Sequence, residues 1–176
     1  MALAVDTPGF MRRLVGLLDG RHFKVRSLVL GQAGKTDARG KGMIRVNLVL
    51  DEPPQRAQRL ARQLARIVDV VSVGVASPDE VAARELALIK VKVGPQGRSE
   101  ILTIAEVFRA QVVDAAPRSL TIEATGDPGK IDALITLLAD YGIEEVARSG
   151  SVALQRGLEG LRDPGAASDE EAATGA

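Results

Sequence analysis

The sequence predicts an α+β protein built as two consecutive βαββαβ units, on three observations. Apolar residues switch between strand and helix periodicity in the same order twice along the chain. A polar break, Ser77-Pro78-Asp79 followed by Glu80, separates the two runs. The length, 176 residues, suits two domains of about 80 residues each. This order is the ferredoxin-like one, in which two helices cover one face of an antiparallel sheet.

In the first unit, Ala2 to Val5 gives a short apolar strand. Thr7 is placed to cap a helix whose first position is Pro8, with Phe10, Leu14, Leu17 and Leu18 on one stripe. Gly20 loosens the end of that helix, and His22 beyond it sits where an imidazole caps carbonyls or meets the dipole. Phe23, Val25, Ser27 and Val29 alternate as a second strand, and Met43 to Leu50 form a third. Between them the stretch 31–42, with four glycines and charges of both signs, predicts a long, mobile hairpin tip. Pro53 and Pro54 open a second helix with the stripe Leu60, Ala61, Leu64, Ile67 and Val68, closed at Asp69; Val70 to Val75 is a β-branched strand.

The second unit repeats the pattern. Leu86 to Val93 is a strand, Ile101, Ile104, Ala105 and Phe108 are a helix stripe, and strands starting at Gln111 and Ser119 flank the Ala116-Pro117 turn. Asp127 and Pro128 open a last helix with the stripe Ile131, Leu134, Ile135 and Leu138, Gly142 closes it, and Ile143 to Gln155 is a strand bent at Gly150. The chain therefore divides into a domain over 1–77, a linker over 78–85, a second domain over 86–156, and a tail over 157–176 whose composition predicts disorder and dispensability. Each unit leaves one sheet face without helices, and Val46, Leu48, Val91 and Val93 suggest enough apolar surface to make a homodimer the expected state.

Composition narrows the chemistry. Lys+Arg and Asp+Glu both number 23, so the net charge is +0 and the overall field that marks a nucleic-acid or membrane-surface binder is missing. Cysteine is absent and histidine occurs once, which removes thiolate zinc sites, cysteine nucleophiles and multi-histidine metal sites within one chain. Aromatic residues make up 2%, so base-stacking surfaces are starved. No apolar run approaches the roughly 20 residues of a membrane span, and the start lacks a signal-peptide pattern, so a cytoplasmic, soluble protein is expected.

Two local features carry chemistry. Asp6-Thr7-Pro8-Gly9-Phe10 places a carboxylate at a strand end before a Pro-Gly helix entrance. There the first-turn amides of Gly9, Phe10 and Met11 suit a carboxylate, and Asp6 suits an ammonium group, so the loop fits an amino acid. An ordinary capped turn explains the same spacing. Arg56, Arg59, Arg62 and Arg66 lie on the polar side of the second helix, where they suit phosphates but are more often a solvated face or a contact with an acidic partner. The turn Gly94-Pro95-Gln96-Gly97-Arg98 superficially resembles the anion loop of acylphosphatases, but no positioned amide side chain on the sheet accompanies it. No catalytic constellation is present.

Several stretches, in order and covering nearly the whole chain up to Gly157, are similar to the regulatory (small) subunit of acetolactate synthase, also called acetohydroxyacid synthase. They are Asp6 to Gly9 with Arg13 to Leu17, Val25 to Leu28, and Arg84 to Val91. More specific are Glu106-Val107-Phe108-Arg109-Ala110-Gln111-Val112-Val113-Asp114, Thr125-Gly126-Asp127-Pro128-Gly129-Lys130-Ile131-Asp132-Ala133, and Glu145 to Leu154. The resemblance implies an N-terminal ACT domain, a C-terminal ferredoxin-like domain, and a homodimer joining a separate catalytic subunit. It implies no catalysis and no cofactor in this chain: thiamin diphosphate, magnesium and FAD belong to the catalytic subunit, which the small subunit activates and subjects to feedback inhibition, typically by valine. A free-standing ACT-type amino-acid sensor acting on another target is the alternative.

Carried over onto this sequence, the effector site falls on Asp6, Gly9, Phe10, Met11, Lys24 and Val25. The family's usual site has asparagine where Asp6 and Lys24 stand, and His22 replaces a common glycine. Two neutral clamps become two opposite charges, which are expected to pair with each other and weaken or alter the valine response.

Overall fold

The computed structural model describes residues 1–37, 39–94, 97–157 and 160–161. The chain forms two compact units, one of Met1–Ala82 with the described residues from Ala153 on, the other of Ala83–Val152.

The first unit runs β1 (Ala2–Val5), α1 (Phe10–Gly20), β2 (Val25–Thr36), β3 (Gly42–Leu50), α2 (Pro54–Leu64) and β4 (Val70–Val73). Its sheet has the order β2-β3-β1-β4, antiparallel at each pair, with Ala4 opposite Ile44 and Leu28 opposite Leu48. The helix-facing side is a core of Ala2, Ala4, Phe10, Leu14, Leu18, Val46, Leu60 and Leu64. Each buried Leu or Phe there contributes at most about 1.5–3 kcal/mol of transfer free energy.

Several boundaries differ from the sequence reading. Helix α1 starts at Phe10 rather than Pro8, because Gly9 takes a left-handed conformation (φ +87°) and serves as the N-cap. The strand β2 continues through the glycines to Thr36, since an edge strand tolerates residues that pack little, and the hairpin tip shrinks accordingly. That tip is organised by Asp37, whose carboxylate accepts the N–H groups of Arg39 (2.9 Å) and Lys41 (2.7 Å). Helix α2 stops at Leu64, and Val68 is 89% exposed rather than on the core stripe.

Expected apolar residues on the helix-free faces are also corrected. Val46 and Leu48 belong to the helix-covered core of the first unit, and Val91 and Val93 to that of the second. Strand alternation turns them toward the helices and away from the open face. On the other face of the first sheet, Leu3, Met43 and Asn47 are nonetheless buried. The returning chain lies there: the Asn47 side-chain carbonyl accepts the Ala153 N–H at 3.2 Å. Further on, the Leu161 side chain packs over Gly74. Of the expected disordered tail over 157–176, only 157 and 160–161 fall among the described residues.

A 3₁₀ turn at Pro78–Glu80, closed by a capping box between Ser77 and Glu80, leads into β5 (Val81–Lys92), which begins ahead of the expected Leu86. Then follow α3 (Arg98–Val107), β6 (Gln111–Ala116), β7 (Ser119–Gly126), α4 (Pro128–Leu138), β8 (Ile143–Arg148) and β9 (Val152–Gln155). The sheet order is β6-β7-β5-β8, with β9 also pairing β5. Gly150 (φ +77°) divides the expected last strand in two. Asp127 caps α4 by accepting the Lys130 N–H at 2.9 Å, as its position before Pro128 predicts. Ile89, Ile101, Leu120, Ile122, Ile131, Leu134 and Leu138 are fully buried. Arg148 clamps this unit, bonding the buried Glu85 carboxylate and, at 2.7 Å, Asp132.

Candidate functional site

The loop from β1 to α1 carries the candidate effector residues, and its shape is set by a network the sequence reading did not anticipate. Thr7 does not cap the helix with its side chain; its hydroxyl donates to the Asp69 carboxylate at 2.6 Å. Arg13, one turn into α1, donates through Nε to the other oxygen of Asp69 at 2.9 Å and through Nη2 to the Thr7 hydroxyl at 3.1 Å. The Asp69 main chain joins in, its carbonyl accepting the Val5 N–H at 2.8 Å. Asp69 is 7% exposed. Its carboxyl is held below the usual carboxylate range, chiefly by the Thr7 hydrogen bond and then by Arg13, against the opposing effect of burial. A buried carboxylate with this many donors fixes both ends of the loop at once.

Gly9 sits inside this network. A Cβ there would meet the Arg13 guanidinium at 3.1 Å, and the left-handed φ would be strained for any other residue. Phe10 is buried in the first core, while Met11 is 46% exposed. Of the three first-turn amides, that of Phe10 is used, donating to the Thr7 carbonyl at 3.1 Å. Those of Gly9 and Met11 have no backbone acceptor among the described residues. Asp6 is exposed, its N–H bonded to the Gly42 carbonyl at 2.9 Å.

Lys24 and Val25 are placed elsewhere. The Lys24 carbonyl accepts the Asp51 N–H, and its own N–H donates to the Glu52 carboxylate, both at 2.9 Å. Glu52 is buried at its side chain and pairs with Arg56 at 3.3 Å. The Arg56 guanidinium lies 5.2 Å from the Phe23 ring centroid. Arg56 is thus part of the β2 entrance rather than of a free basic face. Asp6 stands beside Gly42 and Lys24 beside Asp51, at opposite ends of β3, so within one chain they are roughly 30 Å apart at a strand rise of about 3.3 Å per residue. The expected pairing of Asp6 with Lys24 is therefore excluded inside a single chain. Strands β1 and β2 are both antiparallel to β3, so the end of one and the start of the other must lie apart.

Known proteins resemble this chain over about nine-tenths of its length. Residues 84–157 match a family model described as the small subunit of acetolactate synthase. The chain is 37% identical over 159 residues to the acetolactate synthase small subunit of Mycolicibacterium smegmatis, covering 90% of this chain and 91% of that protein. The chain belongs to the acetolactate synthase small-subunit family. The small subunit of Bacillus subtilis is 38% identical over 156 residues, covering 88% of each chain. The crystal structure of the small subunit from Thermotoga maritima superposes with a TM-score of 0.73 at 30% identity, covering 90% of this chain and 96% of that one. Both ferredoxin-like units are thus family features, and the sequence resemblance read from the motifs is correct.

Among the described residues, no helix is long and apolar enough to cross a membrane. The second unit has an open hollow of about 390 Å³ lined by Val107, Phe108, Arg109 and Lys130. The Lys130 ammonium there is already bonded to the Thr125 carbonyl at 2.7 Å.

Proposed function

We propose that this chain is the non-catalytic regulatory subunit of acetolactate synthase, raising the activity of a separate catalytic subunit and passing on feedback inhibition by a branched-chain amino acid such as valine. One observation carries this reading: relatives named as acetolactate synthase small subunits match over about nine-tenths of the chain, through both units and not one domain alone. That extent favours the subunit over a free-standing ACT-type sensor, which needs only the first unit. On this reading thiamin diphosphate, magnesium and FAD reside in the catalytic subunit, and this chain works as a homodimer in the cytoplasm.

The β1–α1 loop is the effector site of this proposal, with the amides of Gly9 and Met11, on either side of Phe10, receiving the amino-acid carboxylate and Asp6 facing its ammonium group. Because Lys24 and Val25 lie at the far end of β3, they complete the site only from a second copy. Regulation then follows from linkage: an effector held between two copies must favour one arrangement of the complex over another. With Asp6 and Lys24 facing each other across the two copies, the effector competes with an ion pair, and the valine response is weakened or altered while activation survives.

The test is acetolactate formation by the matching catalytic subunit, alone and with this chain, with and without valine, leucine and isoleucine. Activation with a shallow or redirected inhibitor response is the expected result. No change in rate on adding the chain would remove the regulatory-subunit reading, and full valine inhibition at low concentration would remove the argument about Asp6 and Lys24.

A further inference from the structure

Residues 53–68 contain four arginines and no carboxylate, in a chain whose charges balance overall at 23 of each sign. Arg56 is accounted for by Glu52 and Phe23. Arg59 and Arg62 on α2 and Arg66 in the turn after it are exposed, and none has an ion-pair partner among the described residues. Arg59 and Arg62, three residues apart, are neighbours on the helix surface, and Arg66 follows in the turn just beyond Leu64. Like charges so spaced repel, and no acidic residue is interleaved to relieve them as on an ordinary solvated helix face. Two residues on, Val68 is 89% exposed, the most exposed large apolar side chain described.

The topology adds direction. Helix α2 connects β3 to β4: its first turn reaches the β2 entrance through Arg56, and the chain after Arg62 and Arg66 leads into β4, at the sheet edge opposite β2. A second copy placed along β2 is therefore nearest Arg56 and farthest from Arg66 and Val68. All the cations are arginine and none is lysine, which suits planar, bidentate recognition of carboxylates. A nucleic acid would share the charge but gain nothing from the exposed Val68. It would also find no aromatic stacking platform on this stripe. A protein interface uses arginine together with apolar contact.

We propose that Arg59, Arg62 and Arg66, with Val68 at one end, form the surface by which this chain docks on an acidic patch of the catalytic subunit. The proposal rests on the regulatory-subunit reading and names the surface that reading requires.

The experiment titrates full-length chain into the catalytic subunit at low and high salt, reading both direct binding and activation. The triple variant Arg59→Gln, Arg62→Gln, Arg66→Gln is expected to raise the half-saturating concentration about ten-fold at low salt, the combined effect of three solvent-screened ion pairs. Maximal activation should stay the same and the salt dependence should flatten. Val68→Ser should weaken docking at all salt concentrations, and Arg118→Gln in the second unit should change nothing. A triple variant with native circular dichroism and an unchanged half-saturating concentration overturns the proposal. So does wild-type chain that retains nucleic acid through these arginines while its docking ignores them. If wild-type chain neither binds nor activates at any salt concentration, the regulatory reading itself fails and takes the docking surface with it.

Discussion

Asp69 shows how one side chain can organise a site without belonging to it. In the sequence it is only a polar residue ending a helical stretch, because its partners Thr7 and Arg13 lie 62 and 56 residues away. Local patterning reports neighbours within a turn or two, so a contact of that separation leaves no periodic trace. The helix entrance, by contrast, was legible from the Pro-Gly pair before an apolar stripe, although the cap is the left-handed Gly9 rather than Thr7. Replacing Asp69 by Asn keeps the shape but removes the charge that Thr7 and Arg13 are arranged to meet. The change should cost about 1–3 kcal/mol in urea unfolding, toward the lower end because Arg13 is partly exposed to screening solvent. The pH dependence has a definite sign. The folded-state carboxyl titrates below its unfolded value, so its stabilisation is complete above the ordinary carboxylate range and disappears as pH falls through the folded value. Wild-type chain should lose this increment below about pH 5, and Asp69→Asn should lack that portion of the acid sensitivity. Parallel acid profiles for the two proteins would refute the assignment.

At the scale of elements, the order of strands and helices was legible because the apolar period changes from two to 3.6 at each junction. The ends were less so. Helix α1 shows why: its cap is a glycine conformation and not a side chain, and its exit turns through His22 at φ +52°. That backbone region costs a non-glycine residue about 1–2 kcal/mol. The resemblance already marked this position as one where glycine is common, and the turn supplies the physical cause. The backbone bonds here do not depend on the imidazole: the His22 N–H donates to the Asp19 carbonyl at 2.9 Å. His22→Gly should therefore stabilise the chain by about 0.5–1 kcal/mol, the relief of strain less the extra chain entropy glycine carries when unfolded. The check is a higher urea midpoint at unchanged slope. A lower midpoint would mean that the imidazole has a stabilising role that the exposed position hides.

For the molecule as a whole, the duplicated architecture and the family were legible in the sequence, whereas whether Asp6 and Lys24 can meet within one chain was not, because strand register between distant segments leaves no local pattern. Strand register places Asp6 and Lys24 at opposite ends of β3, so the proposed pairing can occur only between copies. This has a consequence that a site within one chain cannot mimic. In a homodimer of Asp6→Lys chains, lysine meets lysine at both sites; in one of Lys24→Asp chains, aspartate meets aspartate. A mixed dimer of the two variants restores an opposite-charge pair at both sites, one in the original sense and one inverted. Co-expression of the two variants, distinguished by a mass tag, should give mixed dimers well above the statistical half at low ionic strength. Each exposed pair is worth about 0.2–1 kcal/mol and each like-charge contact costs a similar amount, so the preference is large enough for native mass spectrometry to resolve. Raising the salt should erode it, since the charges face solvent. If the variants mix at random at every ionic strength, Asp6 and Lys24 do not meet across copies, and the explanation for an altered effector response must be sought in the Thr7–Asp69–Arg13 loop alone.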